Sequence, residues 1–153
     1  KRTLETDPRL TLEAKREAIR HIHTQLRPGG RFVFDDFLMT PQQIERMRQV
    51  QLRAQYTRAD GREALLWVTS LVDEAAQTMR VVTWEDELDA DGALAHRQYR
   101  QLSLSWLEPA QARQLLDDNG FAVDACYGAF DRTPFDSPSR HEQIWVAQKD
   151  SER

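Results

Sequence analysis

The stretch Leu26-Arg-Pro-Gly-Gly-Arg-Phe-Val-Phe-Asp-Asp36 decides the fold. Proline disfavours helix in the residue before it, and a glycine pair permits a tight reversal, so any helix must stop ahead of Pro28. The apolar run Phe32 to Phe34 then ends on two acids, Asp35 and Asp36. Such a run, bounded by a turn and a polar stop, predicts a strand buried on both faces, as in a parallel sheet. Upstream, Ala18, Ile19, Ile22 and Leu26 recur at helical spacing behind Thr11, a good N-cap. Residues Lys1 to Leu10 are polar, contain Asp7-Pro8 and read as a leading loop. Helix running into buried strand points to an α/β fold.

Downstream, Thr40 to about Gln55 reads as mostly helical, with Thr40 as N-cap, Pro41 at the first position and a thin apolar face of Ile44, Met47 and Val50. Asp60-Gly61 marks a turn. The period then changes. Leu65 to Val72, Met79 to Leu88 and Leu94 to Leu104 are β-prone runs separated by turn-rich breaks, which predicts a three-stranded antiparallel meander. Trp67, Trp84 and Tyr99 fall one on each strand. Ser105 to Asn119 returns to helix; Ser105-Trp-Leu-Glu108 fits a capping box, while Pro109 offers an alternative first helical residue. Asn119-Gly120 is a strong stop. Phe121 to Tyr127 and Glu142 to Lys149 are the last strands, the second carrying Ile144, Trp145 and Val146. The Gly128 to Arg140 stretch between them reads as loop. A parallel pair would need a crossover element there, so the pair is read as a wide antiparallel hairpin.

Composition narrows the function classes. The chain has 153 residues, 40% of them hydrophobic, with 4 Trp, which is enough for a real core and suits one domain or part of a larger one. No apolar run approaches the ~18 residues of a membrane span. A net charge of -4 does not suit a protein that grips nucleic acid through phosphates. The locally basic Lys1 to Arg31 reads as a solvated helix face. The single cysteine, Cys126, excludes an internal disulfide framework and a Cys-rich zinc site, and the cytoplasm is the expected compartment.

Two segments carry a resemblance. Leu26-Arg-Pro-Gly-Gly-Arg-Phe-Val-Phe-Asp-Asp36 resembles the turn that joins the fourth main helix to the fifth strand in class I S-adenosylmethionine-dependent methyltransferases. Leu115-Leu-Asp-Asp-Asn-Gly-Phe121 resembles the segment leading into their sixth strand, and Tyr127-Gly128 with Gln143 to Lys149 resembles their C-terminal hairpin. The resemblance covers nearly the whole chain. It implies the C-terminal part of a Rossmann-like methyltransferase sheet, with strands matching the fifth, sixth and seventh. Residues 38–104 would be an inserted helix plus antiparallel lid, within a single partial domain over 1–153. It implies S-adenosylmethionine as cofactor and a small-molecule methyl acceptor as substrate. The family's Gly-rich cofactor turn has no counterpart here, so cofactor-binding residues are expected to be none in this chain, and the N-terminal half of the fold becomes an expected partner. Left unpaired, the Phe32 to Asp35 strand edge predicts a homo-oligomer. The alternative is a stand-alone, non-catalytic α+β ligand-binding or dimerisation module.

Candidate site residues follow from placement. Ligands of open α/β sheets bind at the carboxyl ends of parallel strands, which puts Asp35 and Asp36 at the expected site. A carboxylate there can orient a substrate amine or hydroxyl, or accept its proton; the alternative is that both acids cap the next turn. The Phe121 to Tyr127 strand should run parallel to the first, bringing Tyr127, Phe130 and Asp131 to the same edge. Aromatic walls suit a sulfonium, although core packing explains Tyr127 and Phe130 as well, and Asp131 has a possible ion-pair partner in Arg132. His96 is a candidate base on the last meander strand, with Tyr99 on the opposite face. Trp67 and Trp84 suit a substrate pocket or a dimer interface, and Trp145 suits the core. His141, opening the last strand, is a weaker candidate. His21 and His23 fall on different helix faces and cannot share a metal. No metal site is expected, and Cys126 reads as a packed side chain rather than a reactive thiol.

Overall fold

In the computed structural model, Thr11 opens the first helix as expected, its hydroxyl accepting from the Ala14 N–H at 3.1 Å. The structure describes residue 9, residues 11–136 and residues 142–150. Nearly all of the predicted leading loop, and His141 with residues 137–140, lie outside them. The order is α1 (Leu12–Gln25), β1 (Arg31–Phe37), α2 (Pro41–Arg48), β2 (Gln51–Thr57), β3 (Glu63–Asp73), β4 (Thr78–Leu88), β5 (Leu94–Ser105), α3 (Pro109–Asp118), β6 (Phe121–Tyr127) and β7 (Glu142–Lys149). The chain divides into two compact units. One holds α1, β1, α3, β6 and β7, and the other runs from Thr40 to Ser105.

The first unit is a three-stranded sheet in the order β1-β7-β6. β7 pairs antiparallel with both neighbours, so β1 and β6 run parallel to each other and their carboxyl ends, Phe37 and Tyr127, share one edge. The antiparallel terminal hairpin and the parallel pair are as the sequence predicts. The turn before β1 behaves as its residues dictate. Gly29 has φ +72°, and a Cβ on Gly30 would lie 2.8 Å from the Arg27 carbonyl oxygen, so only glycine fits there. Lys149 Nζ donates to the carbonyls of His23 and Leu26, both at 2.8 Å, satisfying the open end of α1.

The core lies between this sheet and the two helices. Ile19, Leu107, Ala112, Leu115, Leu116, Phe121, Trp145 and Ala147 are buried together, with Phe32 and Phe34 packed against them. β1 is not buried on both faces. Phe32, Phe34 and Asp36 turn toward the core while Val33, on the other face, is 57% exposed. The apolar run is continuous because Val33 is apolar too, and continuity alone does not report which faces are covered.

The second unit is a four-stranded antiparallel sheet in the order β2-β3-β4-β5. The predicted meander had three strands. Its extra strand comes from Gln51–Thr57, which reads as the tail of a helix. α2 instead stops at Arg48, with the Gln49 backbone already extended. Gln51-Leu-Arg-Ala-Gln-Tyr-Thr57 is rich in helix formers, yet Leu52, Ala54 and Tyr56 alternate with polar residues, the period-two signal of a strand. Pairing with β3 supplies its ladder bonds, and partner availability overrides propensity. α2 keeps its predicted cap: Gln43 N–H donates to Thr40 Oγ1 at 3.2 Å and Gln43 Oε1 accepts from Thr40 N–H at 2.9 Å. α3 starts at Pro109, the alternative start, because Glu108 rather than Ser105 forms the box with Gln111.

Candidate substrate-side site

β1 and β7 bring Asp36 directly opposite Gln143. Each strand alternates its side chains, so Asp35 is exposed while Asp36 points inward. Asp36 Oδ2 accepts from the Leu107 N–H at 2.8 Å, and Oδ1 accepts from the Phe37 N–H at 2.9 Å. Burial pushes the Asp36 carboxyl above its ordinary range, against the pull of these amides and of the Lys15 ammonium. Burial likewise lowers Lys15, with the Asp36 charge opposing it. Each Asp36 oxygen thus accepts from a backbone amide, one on the next residue and one on Leu107. Asp35 alone of the pair faces outward.

The carboxyl end of β6 carries the other predicted residues. Tyr127 is half-buried and forms an isolated bridge with Pro134. Phe130 is 74% exposed on the loop beyond it. The Asp131 carboxylate turns to Thr133 rather than to Arg132, accepting from its hydroxyl at 2.6 Å and its N–H at 2.9 Å, which holds Asp131 below the usual carboxylate range. Asp35, Tyr127, Phe130 and Asp131 therefore belong to strand ends and a loop on one sheet edge, the position expected of them.

In the second unit, register aligns Leu52, Trp67, Trp84 and Tyr99 across all four strands. The rings of Trp67 and Trp84 lie 6.2 Å apart and nearly parallel, and Tyr99 follows 6.1 Å beyond Trp84. Tyr99 is 59% exposed. On the same face, one row along, Arg97 grips the buried Asp86 carboxylate and holds it below its ordinary range. His96 lies on the opposite face, paired in register with Glu87 and exposed. That face also holds Glu85, which accepts from the Tyr56 hydroxyl at 2.7 Å, and Glu87, 3.1 Å from Arg58. Trp67 and Tyr99 thus belong to one face and His96 to the other, so they do not form a single pocket wall on this sheet.

Gln143 was not a predicted site residue. It is fully buried, donating from Nε2 to the Leu107 carbonyl at 2.6 Å and accepting at Oε1 from the Trp145 indole at 2.9 Å. The signal was present in the sequence: a lone polar residue alternating with Trp145 and Ala147 on one face of an apolar strand. Asp86 was missed because a carboxylate buried by a cross-strand arginine has no local signal.

No protein-family model matches the chain, and no curated protein matches it. Solved structures do. The CcbJ methyltransferase of Streptomyces caelestis superposes with a TM-score of 0.70 at 20% identity, over 92% of this chain and 52% of that one. The fold is that of the C-terminal half of a methyltransferase. CalS10, an amino pentose methyltransferase of Micromonospora echinaspora with S-adenosylmethionine bound, gives a TM-score of 0.62 at 18% identity, over 91% of this chain and 52% of that one. The sugar N-methyltransferase KedS8 of Streptoalloteichus gives 0.62 at 16% identity, over 91% and 50%. The chain therefore spans about half the length of the proteins it resembles. The Gly29-Gly30 turn is filled by Arg27, Leu26 and Gln148, and Gly61 and Gly92 form turns ahead of β3 and β5. Among the described residues no group of three His, Cys, Asp or Glu could hold a metal, and no helix is long and apolar enough to cross a membrane.

Proposed function

We propose that this chain is the substrate-side half of an S-adenosylmethionine-dependent methyltransferase acting on the amine of a small, sugar-like molecule. The observation that carries the reading is the parallel pair β1 and β6 joined through an antiparallel β7, with a separate antiparallel sheet inserted between β1 and α3, superposing on methyltransferases over nine-tenths of the chain. The amine and sugar come from the names of two of those proteins. Methyl transfer is an in-line displacement that depends on a nucleophile held close and aligned. Asp35 and Asp131 are proposed to bind the acceptor's polar groups, with Tyr127 and Phe130 as apolar walls. The row Trp67, Trp84 and Tyr99 is proposed as an apolar platform on one face of the insert.

The cofactor's cradle is proposed to lie in an N-terminal half that pairs with the open edge of β1. Calorimetry of this chain with S-adenosylmethionine should then show no micromolar binding. In the longer enzyme that carries it, labelled methyl transfer to amino sugars should occur. Micromolar binding by this chain alone, or no transfer from the longer enzyme to any amine or hydroxyl acceptor, would overturn the reading. If the edge is instead left open, this chain should self-associate in light scattering at low micromolar concentration.

A further inference from the structure

We propose that Asp36 and Gln143 are positioning residues that staple together the two connections leading to and from the inserted sheet, through the Leu107 peptide. The proposal rests on the methyltransferase reading for its catalytic consequence, though not for its geometry. The insert leaves the first unit after Met39 and returns at Trp106. Asp36 lies just before the exit and Leu107 just after the return. One Asp36 oxygen takes the N–H of Phe37 on the outgoing chain, and the other takes the N–H of Leu107 on the returning chain. A single carboxylate therefore holds both. Gln143, opposite Asp36 in the ladder, takes the Leu107 carbonyl from the β7 side. Its remaining oxygen is filled by the Trp145 indole, which fixes which way the amide points. The main-chain donor and acceptor of Leu107 are thus gripped by two neighbouring strands.

The chemistry explains why a carboxylate stands at a site whose burial opposes it. The two backbone donors converge from different segments, and only a carboxylate presents two acceptor oxygens at once. An asparagine would offer one acceptor and turn its NH2 against the second donor. The role proposed for Asp36 is to hold the Phe37 and Leu107 segments together at the carboxyl end of β1.

The test is amide exchange, residue by residue, on this chain. In Asp36→Asn, which keeps one acceptor oxygen, one of the Phe37 and Leu107 amides should exchange at least about tenfold faster, a loss of ~1.4 kcal/mol of local protection, with the central β7 amides unchanged. Gln143→Met keeps the carboxylate and removes the second grip, so it tests the staple even if Asp36→Asn fails to fold. Gln143 holds the Leu107 carbonyl rather than its N–H, so here the readout is the carbonyl-carbon chemical shift of Leu107, which should move while the Phe37 and Leu107 amides stay protected. Unchanged exchange of both amides in folded Asp36→Asn, or an unmoved Leu107 carbonyl resonance in folded Gln143→Met, overturns the staple. In the longer enzyme, Asp36→Asn should raise the acceptor KM while leaving the shape of the kcat–pH profile intact. Loss of the profile's acidic limb would make Asp36 a base and overturn the positioning role. Absence of methyl transfer in the unmutated enzyme would remove the function proposed above and leave the exchange result standing.

Discussion

Two tryptophans are buried almost equally, at 2% for Trp145 and 3% for Trp106, yet their replacement by phenylalanine should cost very different amounts. The difference lies in the acceptor each indole leaves behind. Trp145 donates to Gln143 Oε1, which has no access to water, whereas Trp106 donates to Glu108, which is exposed and can be resolvated. Shrinking indole to phenyl removes roughly 50 Å² of apolar contact, or ~1.2 kcal/mol at ~25 cal/mol per Å². Trp145→Phe adds a stranded buried acceptor, ~1–3 kcal/mol, and weakens the contact with the Arg113 guanidinium 5.4 Å from the ring centre, worth ~0.5 kcal/mol. The sum is ~3–5 kcal/mol, against ~1–2 kcal/mol for Trp106→Phe. At ~2–4 °C per kcal/mol for a chain of this size, Trp145→Phe should lower Tm by roughly 5–19 °C and Trp106→Phe by about half that or less. Urea titration followed by far-UV circular dichroism avoids the changed indole fluorescence and checks that the slope m is unaltered. Equal losses for the two variants would refute the stranded-acceptor argument, since apolar burial alone does not separate them.

Gly120 and Gly92 both have positive φ, +77° and +80°, but a Cβ at Gly120 would lie 3.2 Å from His23 Nε2 while Gly92 faces open space. Alanine should therefore cost ~1–2 kcal/mol at Gly92 from backbone strain alone and measurably more at Gly120; equal melting temperatures would show that the His23 ring yields freely. Burial pushes the Cys126 thiol up to about 11, with Arg113 opposing only in part. Its alkylation by iodoacetamide at pH 8 should be slower than that of a free cysteine by at least about tenfold in the folded chain, and should rise to the free rate in urea. Fast alkylation of the folded chain would mean the thiol is neither buried nor raised.

Local chemistry determined the parts of this fold that a few neighbouring residues can specify. The Leu26 to Asp36 segment fixes a helix stop, a glycine-only turn and a strand because proline and glycine act on their own backbone and its immediate neighbours. The caps at Thr11 and Thr40 and the Asn119-Gly120 stop follow for the same reason. The terminal hairpin followed from the absence of a crossover between its strands. Tertiary structure decided what depends on partners distant in the chain. Gln51–Thr57 became a strand because β3 was there to pair with it. Val33 stayed exposed because the helices of its unit cover the other face of β1. Asp36 acquired its partner from far along the chain, since Leu107, 71 residues further on, presents an amide to it. Its sequence neighbour Asp35 has the same side chain and differs only in pointing the other way. Alternation along the strand says that one of the two acids turns inward, but only the packed sheet decides which, and what it meets there.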